Sequence, residues 1–222
     1  MTITLINYAN RGYEMSRKEQ KETALSIAGI DNVIEYSDKD IYDLTTEHPQ
    51  HFSNLRGAGY WLWKPYLILK TLETLNDGDI LVYCDAGSYF KDSILPYTNK
   101  MKDIMLFIPE NDWLEYQYTK GDIFVRLNVE KDMDITHTRQ LEAGFLLLKK
   151  SDTSYKFIKE WLDIAKDYQL ISDERSINPN LPGFIENRHD QSILSVLGKK
   201  HKKDYNIDIE SKPFIVHHKM RR

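Results

Sequence analysis

One segment constrains the fold more than any other: a run of apolar residues that ends in a carboxylate and a glycine. The letters DILVYCDAG occupy positions 79–87. The apolar, β-prone residues predict a buried strand, which delivers Asp85 into a turn that continues with Ala86 and Gly87. In an open α/β sheet, ligands bind where strands present their carboxyl ends, so we expect Asp85 to face a binding crevice.

The chemistry of this turn suits a diphosphate together with a divalent cation. Carboxylate oxygens are the ligands that Mg²⁺ and Mn²⁺ prefer in proteins. Gly87 has no side chain, so a substrate can come close to the backbone there. The alternative is structural, an Asp-Gly-type turn that simply follows a core strand. This segment alone leaves both interpretations open.

Strand and helix patterns alternate along the whole chain. The predicted strands cover residues 2–7, 32–36, 79–84, 104–108, 143–149 and 213–217, and the predicted helices cover 14–28, 65–75, 93–102, 119–128, 153–168 and 189–197. Residues 172–188 hold two prolines, a glycine and several turn formers, which predicts a long loop. The alternation indicates an α/β sandwich around a mostly parallel sheet. Without a repeat or a linker, residues 1–222 are expected to form a single domain.

Composition argues against several classes of protein. The formal charge of −4 is unlike that of nucleic-acid binders, which are usually basic. The one cysteine, Cys84, lies in the predicted core strand, which excludes a disulfide framework and indicates a reducing, cytoplasmic compartment. The start of the chain does not have the pattern of a signal peptide, and no apolar run approaches the length of a membrane helix. We therefore expect a soluble protein with, at most, peripheral membrane contact.

Polar residues follow the first predicted strand, at the usual nucleotide position of such sheets. Tyr8 is a candidate for stacking on a nucleobase and Arg11 for pairing with phosphate, with Asn10 beside it. The loop matches neither the Gly-x-Gly-x-x-Gly fingerprint of NAD and FAD sites nor a Gly-Lys-Ser/Thr phosphate loop. An ordinary polar loop is the alternative.

The stretch RGAGYWLWKP at positions 56–65 places two cations around glycines and tryptophans. Glycines allow the backbone to approach a ligand closely. The start of a helix is already positive, so Arg56 and Lys64 at such a position indicate an anionic ligand. The alternative is that the tryptophans pack the core and the cations are solvated.

The second half of the chain adds further candidates. Glu142 precedes a predicted strand and is a candidate for contacting acceptor hydroxyls, although surface exposure is the commoner outcome for glutamate. Asp190 and Gln191 lie at the start of a predicted helix. Asp190 is either part of the functional site or only a residue that caps the helix or neutralises its dipole. His217 and His218 lie at the end of the last strand, and their side chains point to opposite faces, so only one can reach a given metal.

Together these residues resemble GT-A fold glycosyltransferases. The Arg-Gly-x-Gly-Tyr-Trp-x-Trp-Lys-Pro stretch with Tyr-Cys-Asp-Ala-Gly looks like a group of small bacterial and viral sugar transferases related to polysaccharide biosynthesis. The resemblance implies a nucleotide-sugar donor, bound in a half formed by residues 1–110, and a glycan acceptor, bound by residues 111–222. The donor site would include Tyr8, Asn10, Arg11, Arg56, Lys64, Asp85, Ala86 and Gly87.

The resemblance also implies a metal and a mechanism. GT-A enzymes usually carry Asp-x-Asp, whereas the second acidic position here is Gly87. Ligation of Mn²⁺ or Mg²⁺ would then fall to Asp85 with His217 or His218. An Asp-Gln pair lies against the donor sugar in GT-A enzymes that retain anomeric configuration, which favours retention with Asp190, Gln191 and Glu142 as catalytic residues. An inverting enzyme would use Asp190 as its general base.

The sequence leaves two other functions open. A non-catalytic nucleotide- or carbohydrate-binding module of the same fold would use Asp85 only as a turn residue. A sugar nucleotidyltransferase shares the α/β architecture, but it should carry a glycine-rich loop near its start followed by an arginine–lysine pair. The sequence has no such loop.

Overall fold

A six-stranded sheet lies at the centre of the molecule. The computed structural model describes residues 1–10, 12–211 and 215–217, the last three by their backbone alone. Its strands are β1 (Ile3–Tyr8), β2 (Asn32–Tyr36), β3 (Ile80–Cys84), β4 (Ser88–Phe90), β5 (Ile104–Ile108), β6 (Glu142–Lys149), β7 (Ile207–Ser211) and β8 (Ile215–His217).

The sheet is mixed, with more parallel than antiparallel pairs. Its order is β2-β1-β3-β6-β5-β7. The pairs β1–β2, β1–β3 and β5–β7 are parallel, whereas β6 runs antiparallel to both β3 and β5. Strands β4 and β8 form a separate antiparallel pair. The mostly parallel sheet of the sequence prediction is confirmed, with β6 as the reversed strand.

The four central strands β1, β3, β5 and β6 are buried on both faces, which explains why they are rich in apolar residues. Successive residues of a strand point to opposite faces. In β3, Leu81 and Tyr83 belong to one core cluster, and Ile80, Val82 and Cys84 belong to the other. All five residues of β3 are buried. Asp85, which directly follows the carboxyl end of the strand, is the first residue there to reach solvent.

Helices and short helical turns cover the sheet. They are α1 (Glu14–Thr23), α2 (Tyr42–Glu47), α3 (Pro49–Phe52), α4 (Gly57–Tyr60), α5 (Trp63–Leu72), α6 (Leu95–Thr98), α7 (Glu115–Tyr118), α8 (Gly121–Arg126), α9 (Met133–Thr136), α10 (Asp152–Ala165), α11 (Tyr168–Ile171) and α12 (His189–Lys200). Helix α1 continues into a π-helical turn, Ala24–Ala28. Apolar residues of α5, α10 and α12 pack together on the Leu81 side of the sheet.

Most predicted elements are present, with shifts at their ends. The strands at 32–36 and 104–108 match residue for residue, and 172–188 contains no helix or strand, as predicted. The helices predicted at 93–102 and 119–128 shrink to α6 and α8. The sequence prediction missed the short helices α2, α3, α4, α7, α9 and α11 and the strands β4 and β7. The three residues of β4 are too few for a pattern, and β4 exists because it pairs with β8.

Candidate active site

A buried lysine joins two carboxylates that are far apart in sequence. Lys64 lies in the first turn of α5, Asp85 follows β3, and Asp190 lies in the first turn of α12. The Lys64 Nζ is 2.8 Å from Asp190 Oδ2 and 3.6 Å from Asp85 Oδ1. The two carboxylate oxygens are therefore at most about 6.4 Å apart, the sum of the two contacts. The structure thus brings three of the predicted site residues to one place.

The lysine is held in a charged state by its surroundings. Its side chain is only 4% exposed and lies near the rings of Trp63 and Tyr83, at 5.9 and 5.2 Å from their centroids. Burial alone lowers the pKa of Lys64, but Asp190 and Asp85 together raise it above the ordinary value. An ammonium fixed in this way is already paired, unlike the free anion-binding cation that the sequence suggested.

The two carboxylates differ in their environment. Burial raises the pKa of Asp190 to about 6, with Lys64 opposing the rise and Asp85 adding to it. The Asp85 side chain is 40% exposed, whereas that of Asp190 is 5% exposed. Tyr83 donates a hydrogen bond of 2.6 Å to Asp85 Oδ1, and burial followed by the charge of Asp85 raises the pKa of this phenol well above its ordinary value. Asp85 is thus the carboxylate that solvent and a ligand can reach.

A buried amide fixes the backbone at Asp85. Gln20 of α1, which is fully buried, donates 2.8 Å to the carbonyl oxygen of Asp85. The Asn7 side chain in turn donates 2.7 Å to Gln20 Oε1. Sequence reasoning missed both residues, because a glutamine in a polar helix is indistinguishable from a surface residue. The contact holds the turn of Asp85, Ala86 and Gly87 against α1.

The start of β6 lies beside the same turn. The Asp85 N–H donates 2.9 Å to the carbonyl oxygen of Gly144. One residue earlier, Ala143 N–H donates 3.3 Å to Gln191 Oε1. Glu142, which opens β6, is 5% exposed. Gln191 is therefore near Asp85 as well as next to Asp190, and Glu142 is buried at the strand start instead of lying on the surface.

The segment before Lys64 is a left-handed turn. Residues 57–61 all have positive φ, three of them without being glycine, and each such residue costs of the order of 1–2 kcal/mol. A side chain at Gly57 would approach the Trp61 ring to 2.3 Å, so this position requires glycine. The rings of Tyr60 and Trp61 stack on His189 at centroid distances of 5.1 and 5.3 Å. This stack ties the strained turn to the start of α12.

Arg56 is paired with the long loop. Its guanidinium contacts Asp173 at 3.2 Å and Glu186 at 3.4 Å. All three side chains are about 40% exposed, so the pairs lie at the surface. A diphosphate would have to compete with these carboxylates for Arg56, or bind beside them. The contacts hold the loop 172–188 to the turn that precedes Lys64.

The residues after β1 are less available than the sequence suggested. Tyr8 is 6% exposed, and its ring packs on Trp63 with centroids 4.2 Å apart. Its hydroxyl donates to Asp38, and burial raises its pKa. Little of the ring is open to a nucleobase. Asn10 is exposed, and Arg11 lies outside the described residues.

The backbone of β8 brings His217 near Asp85. His217 pairs with Ser88 across the β4–β8 ladder, and paired Cα atoms in such ladders are about 4.5–5.5 Å apart. The Ser88 N–H donates 3.0 Å to the Asp85 carbonyl oxygen, a turn that keeps its ends within about 7 Å. His218 lies outside the described residues, as does the side chain of His217. Within the described part of the chain, no group of three or more His, Cys, Asp or Glu could hold a metal ion.

Solved glycosyltransferase structures share this fold. Mouse xyloside xylosyltransferase 1 matches with a TM-score of 0.51 at 11% identity, over 94% of this chain and 85% of that one. The bifunctional glycosyltransferase WbbM matches with a TM-score of 0.52 at 10% identity, over 96% of this chain. The match spans only 39% of WbbM. Identities this low show the fold alone, and the predicted GT-A-like fold is confirmed.

Comparisons of the sequence itself find less. No family model matches the chain, and no curated protein does. Among the described residues, no helix combines the length and the apolar character that crossing a membrane requires.

Proposed function

We propose that this chain is a glycosyltransferase that moves a sugar from a nucleoside-diphosphate sugar to a hydroxyl of a glycan or similar acceptor, in surface polysaccharide biosynthesis. The observation that carries the proposal is the cluster of Lys64, Asp85 and Asp190, which three separate elements bring to the carboxyl edge of the sheet. The fold shared with two glycosyltransferases supports it. The single cysteine of the chain, the buried Cys84, supports a cytoplasmic location.

The cluster suits the charges of glycosyl transfer. Breaking a sugar–phosphate bond develops negative charge on the departing diphosphate and positive charge on the sugar ring. In this proposal, the exposed Asp85 binds on the diphosphate side, and ionised Asp190 stabilises the ring. Lys64 keeps Asp190 ionised near neutral pH, since its charge opposes the rise that burial causes in the Asp190 pKa. Glu142 and Gln191 then orient the acceptor and the sugar.

A divalent cation is part of the proposal. The Asp85 carboxylate is half-exposed, and the backbone of His217 runs beside the turn that follows Asp85. We propose that Asp85 and His217, or His218, hold Mn²⁺ or Mg²⁺ together with the diphosphate, where the ion supplies positive charge. One carboxylate makes a weak site by itself, so we expect the ion to bind tightly only with the nucleotide.

The burial of Asp190 favours retention of configuration. An inverting base has to reach the acceptor hydroxyl, but Asp190 is 5% exposed and its Oδ2 lies 2.8 Å from Lys64. A group buried and paired in this way is better suited to stabilise a sugar than to collect a proton from a mobile acceptor. The division into a donor half, 1–110, and an acceptor half, 111–222, stays part of the proposal.

A panel of nucleotide-sugars with Mn²⁺ or Mg²⁺ tests the function. Wild type should melt at a higher temperature with its donor, since ligands of the native state raise stability by mass action, and should release nucleoside diphosphate. Asp85→Asn should abolish turnover and weaken binding of the donor while the fold persists. Asp190→Asn should abolish turnover without weakening binding of the donor. Asp112→Asn, at a side chain that is 95% exposed, is the matched control. Stabilisation by a donor with no turnover would identify a binding module instead.

A further inference from the structure

A second charged group is buried behind the site, and the proposed chemistry does not use it. Glu115 opens α7 and is fully buried. Its Oε1 accepts from the Ser195 hydroxyl and, at 2.7 Å, from Lys199 Nζ. Its Oε2 accepts from Thr119 at 2.7 Å and from Gln140 Nε2 at 3.2 Å. All four partners donate to it.

The surroundings of Gln140 determine which way its amide is turned. The Nε2 atom lies within hydrogen-bond distance of four oxygens. One of them is the carboxylate of Glu115, which when ionised can only accept hydrogen bonds. The tyrosine carbonyl at position 118 also only accepts, at 3.1 Å. The reverse orientation would set the Gln140 carbonyl oxygen against these acceptors, so Oε1 has to point the other way.

That oxygen determines the orientation of the next amide. Gln140 Oε1 accepts 2.9 Å from Gln191 Nε2. At the other end of the Gln191 amide, Oε1 accepts from the backbone N–H of Ala143 at 3.3 Å, and a backbone N–H can only donate. The Gln191 amide thus faces an acceptor, the Gln140 carbonyl oxygen, at one end and a donor, the Ala143 N–H, at the other. Both neighbours require the same orientation of this amide. This agreement removes the usual ambiguity between amide nitrogen and oxygen.

We propose that Glu115 and Gln140 are positioning residues that make Gln191 present its N–H, and not its carbonyl oxygen, to the ligand. Gln191 is half-buried beside Asp190. One of its two N–H groups is taken by Gln140, and the second has no acceptor among the described residues. The ligand atom that it meets is an acceptor oxygen, either of the leaving phosphate or of the sugar. That ligand rests on the proposed function, whereas the amide orientation does not.

Exchange of the Gln191 side-chain amide protons with water tests the orientation without any substrate. In ¹⁵N-labelled full-length protein, the signals are assigned by their loss in Gln191→Glu. Wild type should show two distinct protons, one of them protected, and Gln140→Met should remove that protection. Ser195→Ala removes a hydrogen-bond donor from the same Glu115 carboxylate but none from Gln140, so the protection of the Gln191 proton should persist in this variant. Equal exchange rates in wild type and Gln140→Met would overturn the proposal.

Turnover tests which atom of Gln191 serves the ligand. Gln191→Glu keeps the shape but offers only acceptor oxygens, so kcat should fall about 100-fold, as when a transition-state donor is removed. A Gln191→Glu variant with wild-type activity would show that the carbonyl oxygen is the functional atom and would overturn the proposal. Gln140→Met should lose roughly tenfold in kcat, with unchanged affinity for nucleoside diphosphate, whereas Ser195→Ala should stay within about twofold. If wild type turns over no nucleotide-sugar, the proposed function fails, and the exchange rates still decide the orientation.

Discussion

Among the described residues, the side chains of Lys64 and Lys199 are less than 10% exposed and lie against carboxylates, and the two groups are built differently. Lys199 faces one carboxylate, Glu115, which also accepts from neutral donors and is fully buried. Lys64 faces two carboxylates, Asp85 and Asp190, and one of these is 40% exposed. The formal charge is balanced in the first group and negative by one in the second.

The pKa values of the two lysines reflect this difference. Burial lowers the pKa of Lys199, and Glu115 only partly offsets the effect. Burial also opposes the charge on Lys64, but two carboxylates outweigh it. In the Lys199 group the charges balance and the carboxylate is buried, so the group has no reason to bind a further charge. The Lys64 group has one surplus negative charge and a solvent-exposed carboxylate, so it can bind a cation or stabilise a cationic transition state. The first group is suited to hold a shape, and the second to bind a ligand.

Of all the changes considered, replacing each lysine should change the free energy of unfolding most, and by a different amount in each group. Lys199→Met leaves a fully buried carboxylate without its cation, which should lower the free energy of unfolding by about 3–5 kcal/mol. Lys64→Met should lower it by less than half as much, because Asp85 is partly solvated and Asp190 takes up a proton. Urea unfolding at pH 7 measures both. Equal losses would show that the two groups are energetically alike, and the comparison would fail.

The raised pKa of Asp190 should appear as a pH dependence of stability. The pKa of Asp190 is about 6 in the folded protein, whereas its ordinary value is 3.8. Between about pH 4 and pH 6, therefore, the native state binds a proton at Asp190 that the unfolded state has released. The free energy of unfolding should therefore fall as pH rises from about 4 to about 6, by the order of 2–3 kcal/mol from this group.

Subtracting the profile of Asp190→Asn isolates this contribution from the other carboxylates, with Asp112→Asn as control. Turnover should rise over the same pH window, because the proposed role of Asp190 needs its ionised form. A difference profile that is flat from pH 4 to pH 7 would contradict the raised pKa.

The smallest effect is expected for Arg56, which lies outside both groups. Its ion pairs with Asp173 and Glu186 are at the surface, where such pairs contribute about 0–1 kcal/mol. Arg56→Ala should thus hardly change stability, whereas nucleoside-diphosphate affinity should drop if Arg56 binds phosphate as the sequence suggests. Titration calorimetry with the same variant measures that affinity. An unchanged affinity would leave Arg56 as a tether of the long loop only.

Sequence reasoning predicted the sheet better than the peripheral elements. A strand such as β5 is a short apolar run bounded by turn residues, so a local pattern is enough to predict it. The turns at α2 and α3 have no such pattern, and the short strand β4 depends on its partner β8. The left-handed turn at residues 57–61 was also beyond prediction, although its glycines indicated an unusual backbone.

The same limit applies to the site. Asp85, Lys64, Asp190 and Gln191 were identified because each lies at the end of a regular element in an α/β sheet. The supporting residues Gln20, Glu115 and Gln140 were not, because polar residues in helices and loops are usually at the surface. Only their burial and their partners distinguish them from surface residues.

Periodicity and turn chemistry are local, so the amino-acid sequence was enough to predict the α/β class, the strand that leads into Asp85 and the polar residues at the element ends. Tertiary structure decided that Lys64 is a buried partner of two carboxylates instead of a free anion-binding group. It also decided that Glu115 and Lys199 are inside the protein. Charge pairing between separate elements depends on how the chain packs, and no local pattern encodes it.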